Sequence, residues 1–184
     1  MSDLSDTPGQ PEGIDLAGLF RQQAEGLGGA VRGVLGGRCD VQEVLQEAFL
    51  RAWRALDGGV PPRDPVAWVY VVTLNLAKDL RRRERRRGPK VSIEEVELMD
   101  EQATARAPER RLERKEAVAA ARAAIHRLGD KQKEVFLLRQ SGGLSYEAIA
   151  SNLGIPVGTA KTRMRAALIS LRTNLAAHAE GRAW

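Results

Sequence analysis

The chain has a single cysteine, Cys39, so no internal disulfide can brace it. It has two histidines, His126 and His178, which makes a structural zinc site a poor fit. Cys39 reads as a small, partly buried residue; the alternative is a reactive thiol. Aromatic residues make up 4% of the chain, so a core must be built from Leu, Val, Ala and Ile. No apolar run approaches the length of a membrane span. The opening stretch MSDLSDTPGQPEG lacks the basic and apolar segments of a signal peptide. A cytoplasmic location without membrane insertion is therefore expected. No period-two alternation is long enough for a sheet, and no long repeat is found.

What is present is positive charge and helical periodicity. The net charge is +5 and the pI about 9.8. That balance favours a polyanionic partner or a membrane surface over a basic ligand, or else describes a solvated basic surface. The hydrophobic fraction of 43% is enough for a packed core in one domain or two small ones.

Residues 1–13 are rich in Ser, Asp, Pro and Gly and read as a disordered tail. A helical pattern follows to about Leu35, weakened by Gly26, Gly28 and Gly29. Val41, Val44, Leu45, Ala48, Phe49, Ala52, Trp53 and Leu56 recur at helical spacing, with Asp40 as the N-cap. The breaker Asp57–Asp64 leads to Asp64-Pro65, a cap followed by proline at the first helical position. The helix it opens is expected to pass Trp68, Val69, Val72, Leu76 and Leu80 and to enter an arginine run that ends at Gly88-Pro89. Residues 89–108 are acidic and read as a flexible linker. Beyond them the pattern predicts helices over roughly 109–127, 130–140, 145–153 and 156–175. The fold class is therefore all-α, with two small helical domains, 14–88 and 109–176, and a tail at 177–184.

In the second domain, Ser145 caps a helix carrying Ala148, Ile149 and Leu153. Gly154-Ile155-Pro156 turns the chain, with Gly154 in the C-cap position. The next helix has an apolar stripe of Ala160, Met164, Ala167, Leu168 and Leu171. Its opposite side shows Lys161, Thr162, Arg165 and Ile169, with Thr159 at the amino end. Two short helices, a tight turn and an acid-free second helix are the ingredients of a helix-turn-helix. Such a helix fits the major groove, and Lys and Arg reach guanine edges. An ordinary helical hairpin with solvated lysines has the same spacing. Charge favours DNA: residues 120–176 hold nine Lys and Arg against three acids.

The run LAKDLRRRERRR, residues 76–87, holds seven Lys and Arg and two acids. It reads as a phosphate-neutralising arm or as a solvated helix end. Trp68, Tyr70 and Asn75 precede it; aromatics there can stack on unpaired bases or simply fill the core. The helix at 40–56 differs. Gln42, Glu43, Gln46, Glu47 and Leu50 give it a partly acidic, partly apolar outer face, suited to a protein partner or merely solvated.

Three segments in this order resemble the extracytoplasmic-function sigma factors. DVQEVLQEAFLRAWRAL looks like the family's core-polymerase-binding helix. AWVYVVTLNLAKDLRRRERR looks like its promoter-melting helix. LGDKQKEVFLLRQSGGLSYEAIASNLGIPVGTAKTRMRAALISLR looks like its C-terminal domain. The resemblance implies a transcription-initiation subunit with no catalytic chemistry and no cofactor or metal. Its implied partners are the core RNA polymerase, through the clamp and flap of the large subunits, promoter DNA, and an anti-sigma factor. Glu43, Gln46, Glu47 and Phe49 match the clamp-binding motif, with Leu50 beside them. Trp68, Asn75 and Asp79, with Lys78, Arg81, Arg82 and Arg85, fall on the −10 helix, and Asn75 lies where the family meets the extruded base. Residues 57–64 match the loop that shapes that base pocket. Gly158, Thr159, Lys161, Thr162 and Arg163, with Arg165, fall on the −35-reading helix. Departures are Ala166 for a common basic residue, Gly129-Asp130 at a helix start, and a stiff, proline-rich GGVPPRDP loop. Two rivals are a conventional helix-turn-helix regulator, which needs no acidic partner face, and a DNA recombinase. The second needs an activated nucleophile, and the N-terminal half offers no such constellation.

Overall fold

The computed structural model describes residues 14–36, 39–57, 59–87 and 108–180; the tail at 1–13, most of the acidic segment and residues 181–184 lie outside the described residues. Every regular element among them is an α-helix: α1 (Leu16–Leu35), α2 (Val41–Leu56), α3 (Pro65–Arg87), α4 (Pro108–Arg127), α5 (Asp130–Gln140), α6 (Tyr146–Leu153) and α7 (Val157–Glu180). The boundaries follow from caps legible in the sequence. The Asp40 carboxylate accepts from the amides of Gln42 and Glu43 at 2.9 and 3.2 Å. Asp64 accepts from Ala67 N–H at 2.9 Å, with Pro65 opening α3 where its missing N–H costs nothing. Ser145 Oγ accepts from Ala148 N–H at 3.0 Å and starts α6.

Helices α1, α2 and α3 pack on one another as a first bundle; α7 packs on α4, α5 and α6 as a second. The first bundle buries Leu16, Leu27, Val31, Ala48, Ala52, Val69 and Leu74, and the second buries Val135, Leu138, Ile149, Ala160, Met164 and Ala167. These are the small and branched aliphatics that a chain poor in aromatics must use. Leu168, expected in the α7 stripe, is instead 51% exposed. It lies one residue's turn, about 100°, past Ala167, outside the face that the shorter helices cover. Helix α7 also continues to Glu180, beyond the expected end at 175.

The two bundles do not stand apart. Helix α1 meets α4 and α5, and α3 meets α5 and α6. Two of the three glycines expected to weaken α1, Gly26 and Gly29, face Ser141 in this join, while Gly28 faces Val41 of α2, and the helix is unbroken from Leu16 to Leu35. A β-carbon at Gly33 would stand 2.5 Å from Leu137 Cδ2, and one at Gly26 would stand 2.5 Å from the Ser141 carbonyl oxygen. The missing side chains let α5 approach the α1 backbone, and that packing offsets the poor helix propensity.

Candidate nucleic-acid interface

The turn between α6 and α7 is built as the sequence predicts. Gly154 takes the left-handed conformation (φ 61°, ψ 39°) that a side chain would strain, and Ile155 N–H bonds back to Ala150 C=O at 3.0 Å. Ile149 and Ala150 on α6 and Ala160, Met164 and Ala167 on α7 are buried, which fixes the angle at which α7 is held. On its outer side Lys161, Thr162 and Arg165 are exposed, while Thr159 and Arg163 are half-buried. Thr162 Oγ1 donates to Gly158 C=O at 2.8 Å, so its hydroxyl is engaged locally in this state. Among the described residues no acid forms an ion pair with Lys161, Arg163 or Arg165. The face is open, cationic and rigidly backed.

Sequence reasoning missed one support of this unit. The Arg139 guanidinium lies 5.2 Å from the Tyr146 ring centroid and donates to Leu144 C=O at 2.6 Å. Lys161 Nζ reaches the same ring at 5.9 Å. Arg139 thus ties the end of α5 to the start of α6, and Tyr146 sits between Arg139 of α5 and Lys161 of α7.

Helix α3 divides its candidates. Asn75, Arg82 and Arg85 are exposed, and Trp68 is half-buried against the core. Tyr70 is wholly buried, so it is a core residue with no ring face left for a base; its hydroxyl donates to Ser141 C=O of the second bundle at 2.7 Å. Burial pushes the Tyr70 phenol pKa up. Asp79 pairs with Arg82 at 3.3 Å and faces Arg51 at 3.9 Å. Lys78 and Arg81 point at α5, where Lys78 pairs with Glu134 and Arg81 with Asp130. Arg81 is only 8% exposed. The hydrogen bond from Arg81 holds the Asp130 carboxyl below its usual range. Beside them Lys133 is buried and donates to His126 C=O at 2.7 Å. Burial first, then the charge of Arg81, lowers the Lys133 pKa to about 8. The i, i+4 acids of α5 and the i, i+3 cations of α3 are visible in the sequence, but nothing local says that they meet.

Helix α2 presents Glu43, Gln46 and Leu50 to solvent, with Glu47 half-exposed and paired to Arg51 at 2.9 Å. Phe49 turns inward, edge-on to Phe20 at 5.4 Å and beside Trp53 at 6.0 Å. Cys39 is half-buried, its thiol 3.7 Å from Gly36 C=O, and burial raises its pKa, the environment of an unreactive thiol. Among the described residues no cluster of His, Cys, Asp and Glu could hold a metal, and no helix is long and apolar enough to cross a membrane.

Comparison with known proteins agrees with this arrangement. Residues 19–87 match the model of Sigma-70 region 2, and residues 119–171 match that of Sigma-70, region 4. The chain is 33% identical over 161 residues to the RNA polymerase sigma-H factor of Pseudomonas aeruginosa, covering 85% of this chain and 82% of that protein. It is 31% identical over 130 residues to the ECF RNA polymerase sigma-E factor of Escherichia coli, covering 68% of each. Among solved structures it resembles CnrH in complex with the cytosolic domain of CnrY, with a TM-score of 0.61, 26% identity and 95% of this chain and 94% of that one covered. The sigma factor RpoE of Bartonella quintana, solved with the anti-sigma factor NepR, shares the fold at a TM-score of 0.65 and 21% identity, over 88% of this chain and 96% of that one. Two helical units matching regions 2 and 4, in that order, with an open basic helix in the second, place the chain in the extracytoplasmic-function family of RNA polymerase sigma factors, the subunits that direct transcription initiation.

Proposed function

We propose that this sigma factor docks on core RNA polymerase through α2 and grips promoter DNA at two places, the −35 element with α7 and the −10 element with α3. The observation that carries the reading is the contrast of exposed faces. Lys161, Thr162 and Arg165 form a cationic face on a helix whose reverse side is buried. Glu43, Gln46 and Leu50 form a mixed acidic and apolar face on the other bundle. A basic helix of this exposure suits the major groove, where Lys and Arg reach base edges and Thr159, at its amino end, meets phosphate. The α2 face suits a protein partner, because it would repel phosphate and offers an apolar anchor. A conventional helix-turn-helix regulator has no use for it.

At the −10 element, Asn75, Arg82 and Arg85 are exposed on one helix, with Trp68 and residues 57–64 at its beginning. Extruding a base costs a few kcal/mol. Cations along the backbone and a pocket near Asn75 for the displaced base would supply it. In this reading residues 14–88 form the polymerase-binding and melting unit and 109–176 the upstream-reading unit, joined by 89–108. Two weak grips joined in one chain act as a stronger one through effective concentration. The site of action is the cytoplasm, and, as for the solved relatives held by a partner polypeptide, an anti-sigma protein is the expected regulator.

Two substitutions test the assignment. Gln46→Ala should reduce retention of the chain by immobilised core polymerase; unchanged retention removes α2 from the interface. Lys161→Ala should impair transcription selectively at one −35 position. An equal loss across all −35 variants would make Lys161 a phosphate contact only.

A further inference from the structure

We propose that Tyr146 is a positioning residue for Lys161: its ring, held at the start of α6, steers the ammonium on α7 toward one base position and so sets how sharply the chain discriminates there. The inference rests on the reading that α7 grips the −35 element. Lys161 is exposed and has no acid partner among the described residues, yet its Nζ lies 5.9 Å from the Tyr146 ring centroid. The ring itself is fixed. It is half-buried against the core, it directly follows the Ser145 cap, and the Arg139 guanidinium lies over it at 5.2 Å. Arg139 is in turn anchored, because it donates to Leu144 C=O at 2.6 Å. Among the described residues the Tyr146 hydroxyl makes no hydrogen bond, so it is the ring that both cations use.

The chemistry of lysine gives this support its purpose. An arginine carries its own geometry, a planar fork that matches a guanine edge with two parallel hydrogen bonds. A lysine is a point charge on a flexible four-carbon stem, and its three rotatable donors reach several acceptors. Arg165, the other exposed cation of this face, therefore brings its direction with it, while Lys161 takes its direction from a neighbour. The contact crosses the turn, from the first residue of α6 to the early part of α7, and lies beside the face that the buried Ala160 and Met164 hold outward. At 5.9 Å the ammonium is at the outer edge of the range, about 6 Å, within which a ring attracts a cation, so it is steered without being trapped. Restricting the side chain before DNA arrives lowers the ordering cost of binding in the favoured direction and leaves the other directions unaided. A contact of this kind at an exposed site changes an equilibrium about two- to five-fold.

The test has a spectroscopic arm and a functional arm. In the free full-length chain, the ring current should move the Lys161 ε-methylene NMR signals upfield of the ordinary lysine position. Tyr146→Leu should return them to it, and Tyr146→Phe should keep them shifted. The functional arm is run-off transcription with core polymerase, on a template that the chain selects and on its single-base −35 variants. Tyr146→Leu should reduce discrimination about two- to five-fold at the position that Lys161→Ala affects, and Tyr146→Phe should match the parent. In a Lys161→Ala background, Tyr146→Leu should add nothing there. If circular dichroism shows that Tyr146→Leu does not fold, a fluorinated phenylalanine at the same position keeps the ring and withdraws the electron density that attracts the cation. It should reduce discrimination as the leucine would. Unshifted ε-methylene signals in the parent overturn the contact. An equal effect of Tyr146→Leu with and without Lys161 makes the tyrosine merely structural, and a loss with Tyr146→Phe assigns the role to the hydroxyl; either overturns the proposal. If Lys161→Ala weakens all −35 variants alike, base reading by Lys161 fails and the proposal falls with it. That result is separable, because the ε-methylene shift of the free chain does not depend on DNA.

Discussion

The carboxyl half of α3 and the amino half of α7 have much the same composition, short helical stretches dense in Lys and Arg, yet the fold disposes of them differently. On α7 the cations Lys161 and Arg165 face solvent, with no carboxylate partner among the described residues. On α3 the pair nearest the second bundle, Lys78 and Arg81, is answered by acids of α5. Charge counting cannot separate these cases; only the packing of a third helix does. One basic helix leaves its cations open to solvent, and the other is half-committed to the protein itself.

The comparison can be tested through stability first. Ile149 is fully buried in the second bundle, so Ile149→Ala should cost about 2–5 kcal/mol. In a Trp184→Phe background, fluorescence reports only Trp53 and Trp68, both in the first bundle. If the bundles share one core, that signal should shift to lower urea with the substitution; an unmoved transition would show that they unfold separately. Tyr70→Phe should cost about 1 kcal/mol, because it strips a buried hydroxyl from Ser141 C=O. A calorimetric scan unchanged by that variant would remove the hydrogen bond from the account.

Matched truncations of the two basic helices should give opposite signatures. Arg81→Ala should lower stability, while Lys161→Ala should stay within about 0.5 kcal/mol of the parent. In a salt titration of binding to linear duplex DNA, Lys161→Ala should reduce the log–log slope by roughly 0.9 if the residue neutralises one phosphate. Arg81→Ala should leave the slope of the free chain nearly unchanged. Equal slopes for the two variants would erase the distinction between the helices.

The smallest effect is a pH slope. Lys133 is held near about 8 in the folded chain against 10.5 when unfolded, and it faces Arg81, Arg85 and Asp130 with His126 C=O as its acceptor. Because the folded value is depressed, the unfolded chain binds the extra proton above pH 8. Stability should therefore gain with pH from about 8 toward 10.5 through this group. Tyr70 and Cys39, both raised by burial, work in the opposite sense above their ordinary values. The difference in slope between the parent and Lys133→Gln isolates the lysine; identical slopes would mean that its environment is not the one described.

Much of the fold was legible because its signals are local. Asp40, Asp64 and Ser145 cap the helices they were expected to cap, and Gly154 turns the chain where it was expected to. The cationic face of α7 followed from its apolar stripe, except at Leu168, where the stripe proved narrower. What was not legible is non-local. Gly26 reads in sequence as a helix weakener and proves to be a point of close approach to the Tyr70 hydroxyl and the Ser141 carbonyl just past α5. Tyr70 read as a possible stacking platform and is a buried bridge. Nothing local in the sequence marks Asp130 and Glu134 as the acids that meet α3. Complementary charges in two helices predict a contact only when the packing that brings them together is known.

The central claim is tested most directly by transcription from a template library with randomised sequence upstream of the start region, using purified core RNA polymerase with and without this chain. Sequencing the transcribed templates should reveal two enriched elements at a fixed spacing, present only when the chain is added. Output and template usage indistinguishable from core polymerase alone would contradict the account.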